Sequence, residues 1–337
     1  MDTITHFALG ACVGELAAGK KLGKKALMIG GIAQLIPDID VMFAVWMDPA
    51  SNALAHRGFT HSFLFGVLIT FAVGWGFYKW WRDKSIPFVY WLKFVGLEIF
   101  LHVLLDGFNA YGTGWFEPFS HNRVSFNIIF VADPLFSVSL GVATCLLFLV
   151  RMNYAKRHYI ALFGIGFSTL YLCLCISNKL ITDTAARRAF TSQHIYPVKY
   201  FTTPTPFNNL LWFVVASDTA GNHVGYRSVL DVDDEINFEF FPRNDSLLTN
   251  AVDKEEVDRL IRFSQGFYTV EWKSDTLVFN DLRFGQMLGW KDPRAGFVFH
   301  YYLYPSLDNK LVLQRGRFEN WNEGGAVALV RRMLGEK

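Results

Sequence analysis

The stretch Phe88–Phe108, FVYWLKFVGLEIFLHVLLDGF, decides the fold class. At 1.5 Å per residue, about 20 residues cover a hydrocarbon core of roughly 30 Å, so this run has the length and apolarity of a membrane-spanning helix. It ends in His102-Val103-Leu104-Leu105-Asp106. Residues four apart share one helix face, so this imidazole and carboxylate can hold one cation together. The same pair can also cap or solvate a helix end, and alone it leaves both readings open. Three further runs have spanning character: Ser62–Trp81, Pro134–Val150 and Tyr159–Ser177. Two are weaker. His6–Gly19 is short and carries Glu15, and Ala26–Trp46 is interrupted by Pro37-Asp38-Ile39-Asp40. A broken helix is tolerated in a membrane where its freed backbone is buried in protein or lines a wet cavity.

The expectation is an α-helical membrane domain over residues 1–178, with about six membrane helices, one of them interrupted. An α+β extramembrane domain follows over 179–337. Composition agrees with this division. Of 337 residues 52% are hydrophobic and 18% charged, and the shortage of charge lies almost wholly in the first 180. A net charge of +2 argues against nucleic acid as a partner. Cys12, Cys145, Cys173 and Cys175 all sit in apolar stretches, at spacings that match neither a zinc ribbon nor a disulfide framework. The N-terminus has no basic region ahead of its first apolar run and does not read as a signal peptide.

Lysine and arginine cluster at 20–25, at Lys79, Arg82 and Lys84, and at Arg151, Lys156 and Arg157. Placing all three clusters on the cytoplasmic side gives six crossings with both termini outside. That path brings His6, His56, His61, His102 and Asp106 to the outer face, with Asp38 and Asp40 on the outward leg of the interrupted helix. Imidazoles mixed with carboxylates are the ligand set of a divalent transition metal, and ionisable groups at membrane depth are functional candidates by default. His6, Asp38, Asp40, His56, His61, His102 and Asp106 are therefore the candidate metal ligands.

Asp38 and Asp40 would diverge on a helix but lie on one side of an extended segment. There one could bind metal while the other orients a ligand or acts as general base, and both are candidate catalytic groups. A helix-capping role is the alternative. Gly58 suits a turn that points His56 and His61 into one pocket. Arg57, Arg123 and His121 are candidates for substrate contact, since a guanidinium suits phosphate or carboxylate. Asp133-Pro134 opens the next membrane run. Beyond Asn178, strands are expected at Leu211–Ala216, Asn237–Phe241, Thr269–Lys273, Thr276–Asn280, Gly296–Leu303 and Lys310–Arg315, and helices at Lys254–Phe263 and Gly324–Leu334. Pro197, Pro204 and Pro206 mark an ordered linker or a strand-poor entry to that domain.

Residues 1 to about 180 resemble the YdjM-like family of bacterial inner-membrane proteins, described as membrane-bound metal-dependent hydrolases. The resemblance rests on Thr5-His6 with Gly10, Pro37-Asp38-Ile39-Asp40, His56-Arg57-Gly58 with Thr60-His61-Ser62, His102-x-x-x-Asp106, and Asp133-Pro134-Leu135. It implies a multi-pass protein of the bacterial inner membrane with a metal centre. More remotely, the His-x-x-x-Asp pattern is similar to one in zinc-dependent phospholipase C and P1-type nucleases, which cleave phosphoesters.

Three functions remain in play. The first is a zinc-type hydrolase at the outer membrane surface, with zinc or manganese, one ion or two, acting on a phospholipid or other phosphoester. The second is a divalent-metal transporter, against which tell the gathering of ligands at one face and the lack of a repeat. The third is a non-enzymatic membrane scaffold with a structural metal.

Overall fold

The computed structural model describes residues 1–81, 86–149, 153–251, 253–304 and 323–336. The expected strand at 310–315 and the basic residues Arg82, Lys84 and Arg151 lie outside these. The chain divides into two units, Met1–Trp46 with Ala55–Leu174, and Met47–Leu54 with Cys175–Lys337.

The first unit is helical. Its elements are α1 (Thr3–Leu22), α2 (Lys25–Gln34), a 3-10 segment (Ile36–Trp46), α4 (Phe63–Trp80), α5 (Phe88–Asp106), α6 (Pro134–Leu149) and the start of α7 (Tyr154–Ser192); α3 (Pro49–Ala55) precedes α4 in the chain. Asp2 caps α1 by accepting from the Thr5 amide at 3.0 Å. Helices α1 and α2 approach backbone to backbone through small residues. A Cβ on Gly10 would fall 2.5 Å from the Gly30 carbonyl oxygen, and one on Gly14 would fall 2.3 Å from that of Ala26. Only glycine permits this packing, which suits helices that lack a hydrophobic drive to associate in lipid. Hydroxyls join α6 to its neighbours: Ser137 meets Thr5 at 2.6 Å, Thr144 donates to the Ala8 carbonyl at 3.1 Å, and Ser139 meets Ser168 at 2.6 Å. A buried ion pair ties α1 to α7, with Arg157 Nη2 lying 2.8 Å from both oxygens of Glu15.

Among the described residues three helices are long and apolar enough to cross a membrane: Phe63–Trp80, Phe88–Asp106 and Tyr154–Ser192. A fourth crossing results if Lys25–Gln34 and Ile36–Phe43, bent by 50° at Leu35, form one span. The expected six are therefore not all met. Glu15 interrupts the apolar character of α1, and α6 is short at 16 residues. The expected boundary at 178/179 falls inside one continuous helix, four residues beyond the division of the two units at Leu174. Helix α7 has 39 residues, about 58 Å long, and exceeds a bilayer core.

Among its described residues the second unit contains two antiparallel sheets, one of four strands and one of three, each with its strands in sequence order. The first comprises β1 (Lys199–Pro204), β2 (Leu211–Ser217), β3 (Gly221–Ser228) and β4 (Glu239–Pro242). The second comprises β5 (Tyr268–Lys273), β6 (Thr276–Gln286) and β7 (Phe297–Tyr304). Ala186, Ala189 and Phe190 of α7 pack on Val214 and Ala216 of β2. Helix α8 (Lys254–Phe263) and Ala50 of α3 join the core of the second sheet, and α9 spans Glu323–Met333. The proline-rich entry is not strand-poor. β1 runs up to Pro204 as an edge strand, a position where a missing amide donor is tolerated.

Candidate metal centre

Four helix ends and two short segments build the site. Helix α1 begins near His6, α2 gives way to the 3-10 segment at Asp38, His61 lies just ahead of α4, and His102 and Asp106 lie in the last turns of α5. Successive helices run in opposite directions, so these ends meet. Asp38, His61, His102 and Asp106 each bring one ligand atom to a common point, with these atoms all within 4.8 Å of one another. The two Nε2 atoms of His61 and His102 are 3.1 Å apart. His61 Nε2 lies 3.5 Å from Asp38 Oδ1 and 3.3 Å from Asp106 Oδ2, and His102 Nε2 lies 3.6 and 3.7 Å from the same atoms. A tetrahedral ion with bonds of about 2.0–2.1 Å places its ligand atoms about 3.3–3.4 Å apart. The five pairs that include a histidine nitrogen, at 3.1–3.7 Å, are close to that size, and the two carboxylate oxygens lie within 4.8 Å of each other.

A purely hydrogen-bonded network accounts for these groups less well. Two imidazole Nε2 atoms that face each other can share one proton at most, and Asp106 Oδ2, though Arg57 Nε faces it at 3.1 Å, makes no well-aligned hydrogen bond among the described residues. The side chains of His61, His102 and Asp106 are fully buried, while Asp38 is 17% exposed. Burial alone would lower the His61 pKa, yet the Asp106 and Asp38 carboxylates beside it hold it above the usual histidine range. The same field favours a metal cation.

Asp40 stands behind His61 rather than among the four groups. Its Oδ2 accepts from the Arg57 amide at 2.9 Å and from Thr60 Oγ1 at 3.0 Å, and it lies 3.6 Å from His61 Nδ1. Its Oδ1 faces His56 Nδ1 at 3.2 Å. Of the two arrangements open to Asp38 and Asp40, the structure takes the helical one, in which they diverge. The segment is a 3-10 helix, in which residues two apart are turned by about 240°. His56 is accordingly a partner of Asp40, partly exposed, and is not one of the four converging groups. His6 also stands beside them: its Nε2 is 3.2 Å from Asp106 Oδ1, the oxygen turned away from the cluster, and its ring stacks on His102 at 3.8 Å.

The residues expected to meet substrate are largely occupied within the protein. Arg57 is buried, with Nε 3.1 Å from Asp106 Oδ2, Nη1 donating to Asn109 Oδ1 at 2.8 Å, and Cζ 4.9 Å over the Tyr111 ring. It adopts a left-handed backbone (φ 60°), a strained conformation that aims its amide at Asp40. Arg123 donates to the carbonyls of His56 at 2.9 Å and Gly112 at 3.2 Å, strapping the loop after α5. His121 pairs with Glu117 at the exposed surface. Asp133 caps α6 through the Leu135 amide at 2.9 Å and accepts from Tyr171 at 2.9 Å. Thr60 and Asn109 were not among the site residues expected from the sequence, and Gln34 and Glu98 were missed altogether. The first two were loop polar groups beside stronger candidates, and the last two are single polar residues within apolar runs.

A helical unit with several apolar helices and a buried His-Asp cluster at its helix ends defines the chain as a membrane protein with a candidate metal centre. Residues 1–182 match the model of the YdjM inner membrane protein family, and the chain belongs to that family. It is 32% identical over 122 residues to Inner membrane protein YbcI of Escherichia coli (strain K12), covering 36% of this chain and 69% of that protein. It is 34% identical over 149 residues to Uncharacterized protein YfhP of Bacillus subtilis (strain 168), covering 41% of this chain and 44% of that protein. No solved structure matches the chain. Neither relative's name states a reaction.

Proposed function

We propose that the chain is a metal-dependent hydrolase of the bacterial inner membrane that acts on a phosphoester, with a phospholipid as the favoured substrate. The observation that carries this reading is the convergence of His61 Nε2, His102 Nε2 and one oxygen each of Asp38 and Asp106 within 4.8 Å of one another. Two imidazoles and two carboxylates suit zinc first and manganese second. When bound, such an ion supplies Lewis acidity and lowers the pKa of a coordinated water towards neutrality. The protein's own groups divide the remaining work. Asp40 and Thr60 hold His61 through its Nδ1, Arg57 balances the charge of Asp106, and Asp38, the partly exposed member, faces the side from which water and substrate arrive. A second ion at Asp106 Oδ1, beside His6, would have to displace the buried Met1 amino group that pairs with that oxygen.

The lipid preference rests on a cavity of about 240 Å³ between α4 and α5, lined almost wholly by apolar groups. It begins at Ser62 and Val103, which adjoin His61 and His102, and continues past Gly66 and Gly96. An acyl chain there would leave its phosphoester beside the cluster. The six-crossing path with both termini, the site and the C-terminal unit on the periplasmic side belongs to the same proposal, on the strength of the Lys and Arg distribution.

One observation favours a second reading, a structural metal in a non-enzymatic scaffold. Four protein ligands close a tetrahedron, as structural zinc sites do, whereas catalytic sites keep a position for water. Elemental mass spectrometry on detergent-purified protein, followed by phosphoester and phospholipid assays, separates the two. Near-stoichiometric metal with turnover, both lost in a folded His102→Ala variant, is the expected result. Metal without turnover would favour the scaffold, and protein that takes up no metal would overturn both.

A further inference from the structure

A second group of polar atoms lies one helical turn from the cluster and is used by none of the contacts above. On α5, Glu98, His102 and Asp106 are spaced by four and share one face. On α1, His6 and Gly10 have the same spacing, as do Gly30 and Gln34 on α2. Missing side chains bring these faces together. A Cβ on Gly30 would fall 2.9 Å from Glu98 Oε1, and one on Gly10 would fall 2.6 Å from Gln34 Cβ. Glu98 and Gln34 are both fully buried. Among the described residues, both Glu98 oxygens, both Gln34 amide atoms, His6 Nδ1 and His102 Nδ1 have no hydrogen-bond partner.

Six such atoms on one three-helix contact cannot all remain unsatisfied in a marginally stable protein. Buried polar groups that do not reach each other directly are normally joined by bound water. The imidazoles add a chemical reason. A histidine that ligates through Nε2 carries its proton on Nδ1 and almost always donates it to a carboxylate, carbonyl or water, which fixes the ring and raises its basicity. His61 has Asp40 and Thr60 for this purpose. His102 has no direct acceptor, but helix side chains lean towards the N-terminus, which carries its ring towards the level of Glu98.

We propose that Gln34 and Glu98 form a hydrated polar site beneath the metal centre, in which the His102 Nδ1–H hydrogen-bonds through bound water to Glu98, which thereby positions that ligand. This rests on the metal-centre reading above. Glu98 is then to His102 what Asp40 is to His61, so each imidazole of the cluster has its own carboxylate. Gln34, with one donor and one acceptor side, links the same water to His6.

The test uses the full chain in detergent, loaded with cobalt(II), whose visible bands report ligand geometry. Affinity is measured by competition with a chelator for wild type, Glu98→Leu, Glu98→Gln and Gln34→Leu. Glu98→Leu is expected to weaken metal binding by about 10–100-fold and to shift the cobalt bands, the loss typical of an outer-shell partner. Glu98→Gln keeps an acceptor and is expected to recover most of the affinity with a smaller shift in the same direction. Gln34→Leu should have a smaller effect than Glu98→Leu. Wild-type affinity and bands in folded Glu98→Leu would overturn the proposal while leaving the metal centre intact. Where Glu98→Leu does not fold, cobalt bands in Glu98→Gln that coincide with those of wild type would overturn it. Wild-type protein that binds neither cobalt nor zinc would overturn the metal-centre reading and this proposal with it.

Discussion

Replacing Asp40 with alanine separates the groups that would hold a metal from those that hold the holders. Asp40 and Asp38 are two residues apart, yet only Asp38 reaches the converging set, while Asp40 Oδ2 lies 3.6 Å from His61 on the Nδ1 side. Loss of an outer-shell partner typically costs 10–100-fold in metal affinity, about 1.4–2.7 kcal/mol. Asp40→Ala also strips the acceptor from the Arg57 amide, 2.9 Å away, and from Thr60 Oγ1, 3.0 Å away. Orphaning a buried amide adds a stability loss of about 1–3 kcal/mol that is present with or without metal. The expected signature is a variant that still reaches full metal occupancy at saturating concentration but with weakened affinity, and whose metal-free form melts below wild type. Asp106→Ala removes a converging oxygen and should fail to reach full occupancy over the same range. Chelator-competition titrations together with thermal unfolding in detergent measure both quantities. Two results would refute the reasoning: an Asp40→Ala protein that loses metal as completely as Asp106→Ala, which would make Asp40 a ligand, or one with wild-type affinity, which would leave it no role at the centre.

Breaking the Glu15–Arg157 pair should be more damaging than removing it. Glu15→Ala strands a buried guanidinium and is expected to cost about 3–5 kcal/mol in thermal unfolding, whereas Glu15→Leu with Arg157→Leu should lie near wild type. In the second unit, burial slightly opposes ionisation of Asp218, but the Gly221 and Ala220 amides and His223 hold its carboxyl below the usual range. A group with a depressed folded-state pKa stabilises above its unfolded value and loses that contribution as pH falls through the folded value. Asp218→Asn should therefore lower stability near neutrality and flatten its acid dependence, as read from unfolding midpoints between pH 7 and about pH 3. For orientation, Asn122→Cys in the loop after α5 should react with a membrane-impermeant maleimide in intact cells, and Lys20→Cys only after permeabilisation. The reverse pattern would place the site on the cytoplasmic side.

The converging residues were legible because each stands at the end of an apolar run, where an ionisable side chain has no ordinary packing role. Helix-period spacing paired His102 with Asp106, and Pro37 marked the break that delivers Asp38. What the sequence could not separate was Asp38 from Asp40. An extended segment sets residues two apart on one side and a 3-10 turn sets them apart, and Pro37 is compatible with both. Arg57 and Arg123 looked like anion readers because exposure is not encoded in residue type, and the structure commits them to Asp106, Asn109 and the loop carbonyls. Glu98 and Gln34 went unremarked for the converse reason, since one polar residue in an apolar run carries no periodic signal. In the second unit, β3 carries Gly221, Asn222, Gly225 and Ser228, poor strand formers held by their register with β2. Residues 47–54 lie between two site segments in the chain but belong to the second unit, an association that no local pattern announces.

The gathering of His6, Asp38, His61, His102 and Asp106 does not depend on which side of a membrane they face. It follows from alternation alone, because α1 and α4 begin where α2 and α5 end. The basic residues fall at the opposite helix ends for the same reason, and many have partners there. Lys24 donates to the Phe148 carbonyl at 2.7 Å, Lys21 lies 4.2 Å over the Tyr90 ring, Lys25 lies 5.2 Å over that of Trp81, and Arg157 is spent on Glu15. Charges engaged in this way cap helices and cover aromatic edges as well as reporting topology. Lysine and arginine counts therefore carry the orientation less firmly than they carry the separation of one helix end from the other. The separation is what chemistry at this site requires: a basic, aromatic end that holds the bundle together, and a polar end where buried imidazoles and carboxylates converge with Asp38 at the edge of solvent.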